Sequence, residues 1–237
     1  MAARALTSRM IQIPLPIFAA PEPTFDNFVP GANAPALAHL RTLVAPAAPV
    51  YLWGPAGSGK THLLRAWAAR NEAQGQRVGW FDATDRLPWA LAPGWAAVVF
   101  DRCELMDEAA QHAAFAVFVD ATTLGVQVAT AGRLPPVDLP LRDDLRTRLA
   151  WGHVFALQAP SDAETRAALR REGDARGVML PDEVMDHLLN HFPRDLNFLM
   201  RQVQRLDEYS MSRGRRVTVP LLKAMLAEEG QGEVSAT

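Results

Sequence analysis

The chain has 237 residues, 49% of them hydrophobic and 21% charged, a composition ordinary for a soluble globular protein that excludes disordered and fibrous polypeptides. Lys and Arg number 24 against 26 Asp and Glu, a formal net charge of −2, so wholesale electrostatic capture of nucleic acid or of an anionic membrane is not expected. The length holds one or two domains of about 100 to 200 residues each.

The one cysteine, Cys103, can close no intrachain disulfide and lacks the company that a structural zinc site needs, which fits a reducing cytoplasm. Apolar runs such as AAVVF at 96–100 fall far short of the roughly 20 residues of a membrane span. Arg4 and Arg9 precede an apolar stretch, but Gln12, Pro14 and Pro16 interrupt any signal-peptide core. A cytoplasmic protein with no membrane association is expected.

Residues 1–35 carry Pro14, Pro16, Pro21, Pro23, Pro30 and Pro35, which fix φ and remove amide donors, so an extended arm is expected there. Short β-like runs then recur at 50–53, 77–82, 96–101, 126–131 and 153–158 with helical patterns between most of them, the signature of a mostly parallel α/β sheet. After Pro160 the pattern turns helical, opening on Ser161 and Glu164, whose spacing allows a reciprocal capping box. Val184, Met185, Leu188, Leu189 and Phe192 form one apolar stripe, and Leu196, Leu199, Met200, Val203 and Leu206 form another. Arg201 and Arg205 read as a solvated helix face. The division expected is an arm at 1–23, an α/β domain at 24–160, a helical domain at 161–230 and a frayed tail at 231–237.

The strongest local signal is GPAGSGKT, comprising Gly54, Pro55, Ala56, Gly57, Ser58, Gly59, Lys60 and Thr61. It matches the phosphate-loop pattern between the apolar strand VYLW and a helical pattern that includes Leu63, Leu64 and Trp67. Glycines let the backbone curl so that its amides face phosphate, and the following helix presents its positive end to the same anion. Lys60 is expected to meet the β and γ phosphates, and Thr61 to hold Mg²⁺.

AAVVFD supplies a Walker B strand, with Asp101 at its end as the second metal-side group. Many such ATPases place another carboxylate directly after that Asp, where this chain has Arg102; the departure argues for weak hydrolysis by the chain itself. Glu104 reads as a surface carboxylate at a helix start and is not assigned to catalysis. Cys103 reads as a small buried hydrophobe.

The phosphate loop, FDNFVPG ahead of the first strand, LRTRLAWG ahead of the fifth and FPRDL in the helical region together resemble the AAA+ module of the bacterial replication initiator DnaA, over about residues 24–228. The resemblance implies a five-stranded parallel αβα sheet plus a small C-terminal helical lid domain, with ADP or ATP and Mg²⁺ between them. Phe25, Phe28 and Val29 would border the adenine, and Arg194 in FPRDL would be the sensor 2 arginine. Thr130 falls in the region of the polar sensor 1 residue. Arg148 matches the arginine finger that enters a neighbouring subunit's nucleotide site; a salt bridge to Asp143 or Asp144 is the structural alternative. Arg142 and Arg146 read as solvated charges.

Within that family, the QIPLPI segment and an expected end without a DNA-binding domain after the lid are most like the Hda-type regulatory inactivators of DnaA. Gln12, Ile13, Leu15, Pro16 and Ile17 resemble the short motif that docks in the DNA polymerase III sliding clamp, the β subunit. Prolines reduce the entropy lost on docking, and the apolar side chains supply anchors. The resemblance therefore implies an adaptor that reaches DNA through the clamp and stimulates hydrolysis of DnaA-bound ATP through Arg148. Self-association is left open. The rivals are a helicase-loader-like ATPase with its own ATP cycle and a small P-loop kinase, which would leave QIPLPI and the helical region unexplained.

Overall fold

The computed structural model describes residues 22–232. They form two compact units, Glu22–Glu164 and a helical unit from Thr165 onward.

The first unit is built around five strands, β1 (Val50–Trp53), β2 (Arg77–Asp82), β3 (Trp95–Asp101), β4 (Gln127–Gly132) and β5 (His153–Ala156). All pairings are parallel, in the order β2-β3-β4-β1-β5, and each strand lies within a residue or two of the run that its apolar pattern predicts. Parallel pairing requires long crossovers, which bury the sheet on both faces and explain runs as apolar as WAAVVFD in β3. One face packs Leu52, Val99 and Ala131 against Leu40 of α1 (Ala34–Thr42) and Leu63, Leu64 and Trp67 of α2 (Lys60–Ala73). The other packs Tyr51, Phe81 and Phe100 against Ala114, Val117 and Phe118 of α3 (Glu108–Thr123) and Leu145 and Leu149 of α4 (Asp143–Leu149).

The extended course expected as far as residue 35 does not hold over residues 25–35. Phe25 and Phe28 are buried in the first of these cores, residues Gly31–Asn33 form a 3-10 turn, and Pro35 sits in the first turn of α1. Proline is tolerated there because the first helical amides have no intrahelical acceptor.

The second unit takes in α5 (Asp162–Ala175), whose start lies in the first unit, then α6 (Asp182–His191), α7 (Leu196–Arg213) and α8 (Val219–Gly232). The capping box forms: Ser161 N donates to Glu164 Oε2 at 2.8 Å and Glu164 N donates to Ser161 Oγ at 3.3 Å. Val184, Met185, Leu188, Leu189, Leu199, Val203 and Leu206 meet Leu221 and Leu222 in one core, as the two stripes predict. Arg201 lies over the Phe198 ring, and Arg205 donates to Gln202 Oε1 at 3.4 Å. Gln231 and Gly232, placed in the tail by sequence, continue α8. Among the described residues no helix is long and apolar enough to cross a membrane.

Candidate functional site

Residues 54–61 turn directly off β1 and lead into α2, the strand-to-helix geometry that aims backbone amides and a helix N-terminus at an anion. Glycine is required at two places. A Cβ on Gly54 would stand 2.2 Å from the Leu157 carbonyl oxygen; one on Gly59, where φ is +90°, would stand 2.5 Å from the Phe28 ring. The loop is therefore clamped between the end of β5 and the FDNF segment.

Lys60 Nζ donates to the carbonyls of Gly54 and Pro55, both at 2.8 Å, and to Ser58 Oγ at 3.4 Å. Burial pulls the Lys60 ammonium below its ordinary range, while Glu104 and Asp101 oppose that shift. Thr61 Oγ1 donates to Asp101 Oδ2 at 2.7 Å, and the Arg102 amide donates to Asp101 Oδ1 at 2.9 Å. Burial pushes the Asp101 carboxyl up, against those two hydrogen bonds. A hydroxyl and a carboxylate at hydrogen-bond distance, beside a lysine held by the loop carbonyls, form a donor set that fits Mg²⁺ and a nucleotide phosphate chain.

Two features escape the sequence reading. Strands β2 and β3 end in register on Asp82 and Asp101, and Arg102, a non-glycine residue at φ +54°, pairs with Asp82 through Nε at 2.6 Å and through Nη2. Burial raises the Asp82 carboxyl, but hydrogen bonds from Arg102 and Thr84 outweigh it and hold Asp82 below the usual carboxylate range. The repeated FD at the ends of both strands was the available signal.

The second feature is Glu104, which the sequence left on the surface. Strand β3 runs into the 3-10 turn Cys103–Leu105, which carries the half-buried Glu104 over the end of β4, where its Oε2 accepts from the Arg133 amide at 3.1 Å. Cys103 is fully buried, and burial pushes its thiol well up, in line with a packing role.

Thr130 requires a correction. Its hydroxyl donates to the Val50 carbonyl at 3.1 Å and the residue is 1% exposed. It shares a register row with Tyr51 and Phe100, which face the α3 and α4 side of the sheet, away from Thr61 and Asp101. The end of β4 beside the phosphate loop is instead Gly132, opposite Trp53.

The FDNF segment is tied down by its neighbours. His62 Nε2 lies 2.9 Å from the Thr24 carbonyl oxygen, Arg41 Nη2 donates to the Phe25 carbonyl at 3.0 Å and to Asp26 Oδ1 at 2.7 Å, and the Phe28 and His62 rings lie 5.5 Å apart. Val29 is half-buried next to them. These contacts hold Thr24 and Phe28 against the start of α2 and Phe25 and Asp26 against α1, with Val29 next in the chain.

Arg148 lies on α4, at the end of a helix whose other charges pair among themselves. Arg142 Nη2 meets Asp144 Oδ2 and Arg146 Nη2 meets Asp143 Oδ1, each at 2.6 Å. Both carboxylates that could have tied down Arg148 are thus taken, and Arg142 and Arg146 are ion-paired instead of merely solvated. The Arg148 guanidinium lies 5.5 Å from the Trp151 ring centroid, in a groove of about 550 Å³ lined by Phe115, Asp143, Asp144, Thr147, Arg148 and Trp151. Arg194 is exposed in the turn that precedes α7, next to the N-cap Asp195. Gln12, Ile13, Leu15, Pro16 and Ile17 lie outside the described residues.

The αβα sheet, the phosphate loop, the Thr61–Asp101 pair and a helical unit define an AAA+ module. Residues 162–226 match the family described as Hda, lid domain, and residues 20–90 match the bacterial DnaA ATPase domain. The two matched stretches are thus similar to a DnaA ATPase domain and to an Hda lid, which supports a DnaA-related AAA+ protein.

Among solved structures it is similar to domain III of the Thermotoga maritima replication initiation protein DnaA, at 20% identity and a TM-score of 0.70 over 88% of this chain and 98% of that one. AMPPCP-bound DnaA from Aquifex aeolicus matches at 19% identity and a TM-score of 0.63, over 83% of this chain and 68% of that one. The Thermotoga maritima RuvB Holliday junction branch migration motor matches at 16% identity and 0.60, over 84% and 67%. At such identities the likeness establishes the fold.

Proposed function

We propose that the chain is a sliding-clamp-bound adaptor that stimulates hydrolysis of ATP held by DnaA, with Arg148 as the finger supplied in trans, and so restrains re-initiation of DNA replication. The observation that carries this reading is Arg148: the adjacent arginines are neutralised by Asp143 and Asp144, and it makes no ion pair among the described residues. The Hda-type lid match supports DnaA as partner. The QIPLPI motif at 12–17 supports the clamp, through which the chain would sit on DNA in the cytoplasm.

The chain's own nucleotide, ADP or ATP, is held by residues 54–61. Phe25, Phe28 and Val29 lie on the adenine side, and Arg194 of the helical unit is the sensor 2 arginine that the resemblance implies. The AMPPCP bound to the Aquifex relative supports an adenine nucleotide. Thr61 and Asp101 would hold Mg²⁺, which neutralises phosphate charge when bound. Lys60 supplies a positive charge, and Asp101, by accepting from the Thr61 hydroxyl, orients that hydroxyl. Arg102 stands where a second Walker B carboxylate would be and is engaged by Asp82, so the bound nucleotide serves to hold the competent conformation more than as fuel.

At the DnaA site, water adds to the γ phosphorus as the bond to the bridging oxygen breaks. The planar, permanently charged guanidinium of Arg148 meets the charge that develops on the γ-phosphate oxygens. Fingers of this kind contribute about 10³ to 10⁵ in rate, or roughly 4 to 7 kcal/mol of barrier.

A second reading, an ATPase with its own cycle, is favoured by Glu104, which the 3-10 turn brings to the Arg133 amide on the phosphate-loop side of the sheet. One assay separates the two: hydrolysis of ATP pre-bound to DnaA, with the chain and a DNA-loaded clamp. Clamp-dependent stimulation in wild type, lost in Arg148→Ala with nucleotide and clamp binding intact, is the expected result. An unchanged Arg148→Ala protein would overturn the reading, and brisk turnover by the chain without DnaA would favour the second.

A further inference from the structure

We infer that Trp151 is the positioning residue for Arg148, its indole face acting as a shelf that holds the guanidinium in one orientation before a partner arrives. The inference rests on Arg148 being the finger proposed above, and goes beyond it by assigning the residue that aims it.

Trp151 is 61% exposed, far more than its size and apolar area would dictate if packing were its role. Its backbone, by contrast, is fixed on both sides. The Trp151 amide donates to the Arg148 carbonyl at 3.2 Å and the Ala150 amide to the Arg146 carbonyl at 3.2 Å, so the last turn of α4 carries through to residue 151. The following residue is pinned as well: a Cβ on Gly152 would lie 1.8 Å from the Pro49 carbonyl oxygen, and the His153 amide donates to that same oxygen at 2.8 Å. Beneath, Leu145 and Leu149 anchor α4 in the core. An exposed ring is thus mounted on a rigid base, three residues after the arginine, on the same side of the turn.

A long cationic side chain in water samples many rotamers and loses that freedom when it engages a phosphate. A planar guanidinium over an indole face is held by the ring quadrupole while its N–H edge stays open to an incoming anion. A carboxylate partner would have blocked that edge, and the two carboxylates that line the groove with Arg148 are occupied by Arg142 and Arg146. The shelf therefore orders Arg148 without covering the atoms that would meet phosphate.

The test compares Trp151→Leu, which keeps apolar bulk without a ring face, with Trp151→Phe, which keeps a face, in the full chain. In a ¹⁵N–¹H spectrum of arginine Nε–Hε groups, the signal that disappears in Arg148→Ala is expected to be ring-shifted in wild type, to lose that shift in Trp151→Leu and to keep most of it in Trp151→Phe. In hydrolysis of DnaA-bound ATP, Trp151→Leu is expected to lower the saturating rate about fivefold to thirtyfold at little change in half-saturating concentration, with Trp151→Phe within about threefold of wild type. An unshifted Arg148 signal would overturn the inference. So would a Trp151→Leu protein with a normal saturating rate and only a raised half-saturating concentration, which would make Trp151 a docking contact. A ring-shifted signal beside a fully active Arg148→Ala protein would instead sink the finger reading and the assigned role with it, while leaving the cation–aromatic contact established.

Discussion

The phosphate-loop end of the sheet and the surface of α4 treat their charges in opposite ways. Around the loop the named groups are closed upon one another: Lys60 on the Gly54 and Pro55 carbonyls, Asp101 on Thr61, Asp82 on Arg102, Glu104 on the Arg133 amide. On α4 two arginines pair with two aspartates and Arg148 is left over an exposed ring. The first arrangement is preorganised within one chain and needs only a small anion to complete it. The second makes sense when another molecule supplies the anion. One unit thus carries a closed set of charges at the loop and an open cation on α4, the contrast on which the proposed division of labour rests.

The sharpest way to break this contrast is Lys60→Ala. A hydrogen bond to a charged group contributes about 1.5 to 3 kcal/mol, so removing the ammonium is expected to weaken nucleotide affinity roughly tenfold to a hundredfold, read by titration with a fluorescent nucleotide. The Arg148 ring shift should not move. If both change together, the two regions are coupled and do not work as separate sites.

The sheet was legible because parallel strands must be apolar on both faces, and the runs at 77–82 and 96–101 carry that pattern almost to the residue. The phosphate loop was legible because close backbone approach demands glycine at Gly54 and Gly59. What the sequence hid depends on the strands lying side by side. Asp82 is 19 positions before Asp101 in the chain yet level with it in the sheet, so the partner of Arg102 cannot be found by spacing. Thr130 looked available because it is polar near a strand end; the register shows that its row faces the other layer. Glu104 looked exposed because a helix was expected to begin there, and the tight turn at Cys103–Leu105 redirects it.

A second test uses acid, to which His62 beside the loop and His39 against His153 should both respond. Burial, aided by His153, lowers His39 from the ordinary histidine value of 6.5. Burial also lowers His62, against the contact with the Thr24 carbonyl. Both rings therefore fold in their neutral forms more readily than charged, so the unfolded chain binds more protons as pH falls. Their contribution to stability is complete above about 6.5 and is lost as pH drops below that value toward the lowered folded values. Thermal melts from pH 7.5 to 5.5 should show a falling midpoint, and the double variant His39→Phe, His62→Gln should flatten the slope. Since His62 and Phe28 border the loop, nucleotide affinity should change over the same window while the Arg148 signal holds. A midpoint that rises on acidification would show that these rings gain protons on folding.

The smallest expected effect is also the most discriminating on the α4 side. Asp143 is highly exposed and pairs with Arg146 three residues on; such a pair contributes about 0.2 to 1 kcal/mol. Replacing Asp143 with Ser should lower the melting midpoint by no more than about 2 to 4 °C. It also frees the Arg146 guanidinium, raising the positive charge beside Arg148 without touching Trp151. If Arg148 is held by the ring, Asp143→Ser should leave its ring shift and the saturating rate of DnaA-bound ATP hydrolysis where they were. If instead Arg148 exchanges onto the Asp143 carboxylate in solution, removing that carboxylate should increase the ring shift, because the competing partner is gone. A saturating rate cut as deeply as in Trp151→Leu would mean that the aspartate, and not the indole, sets the direction of the arginine.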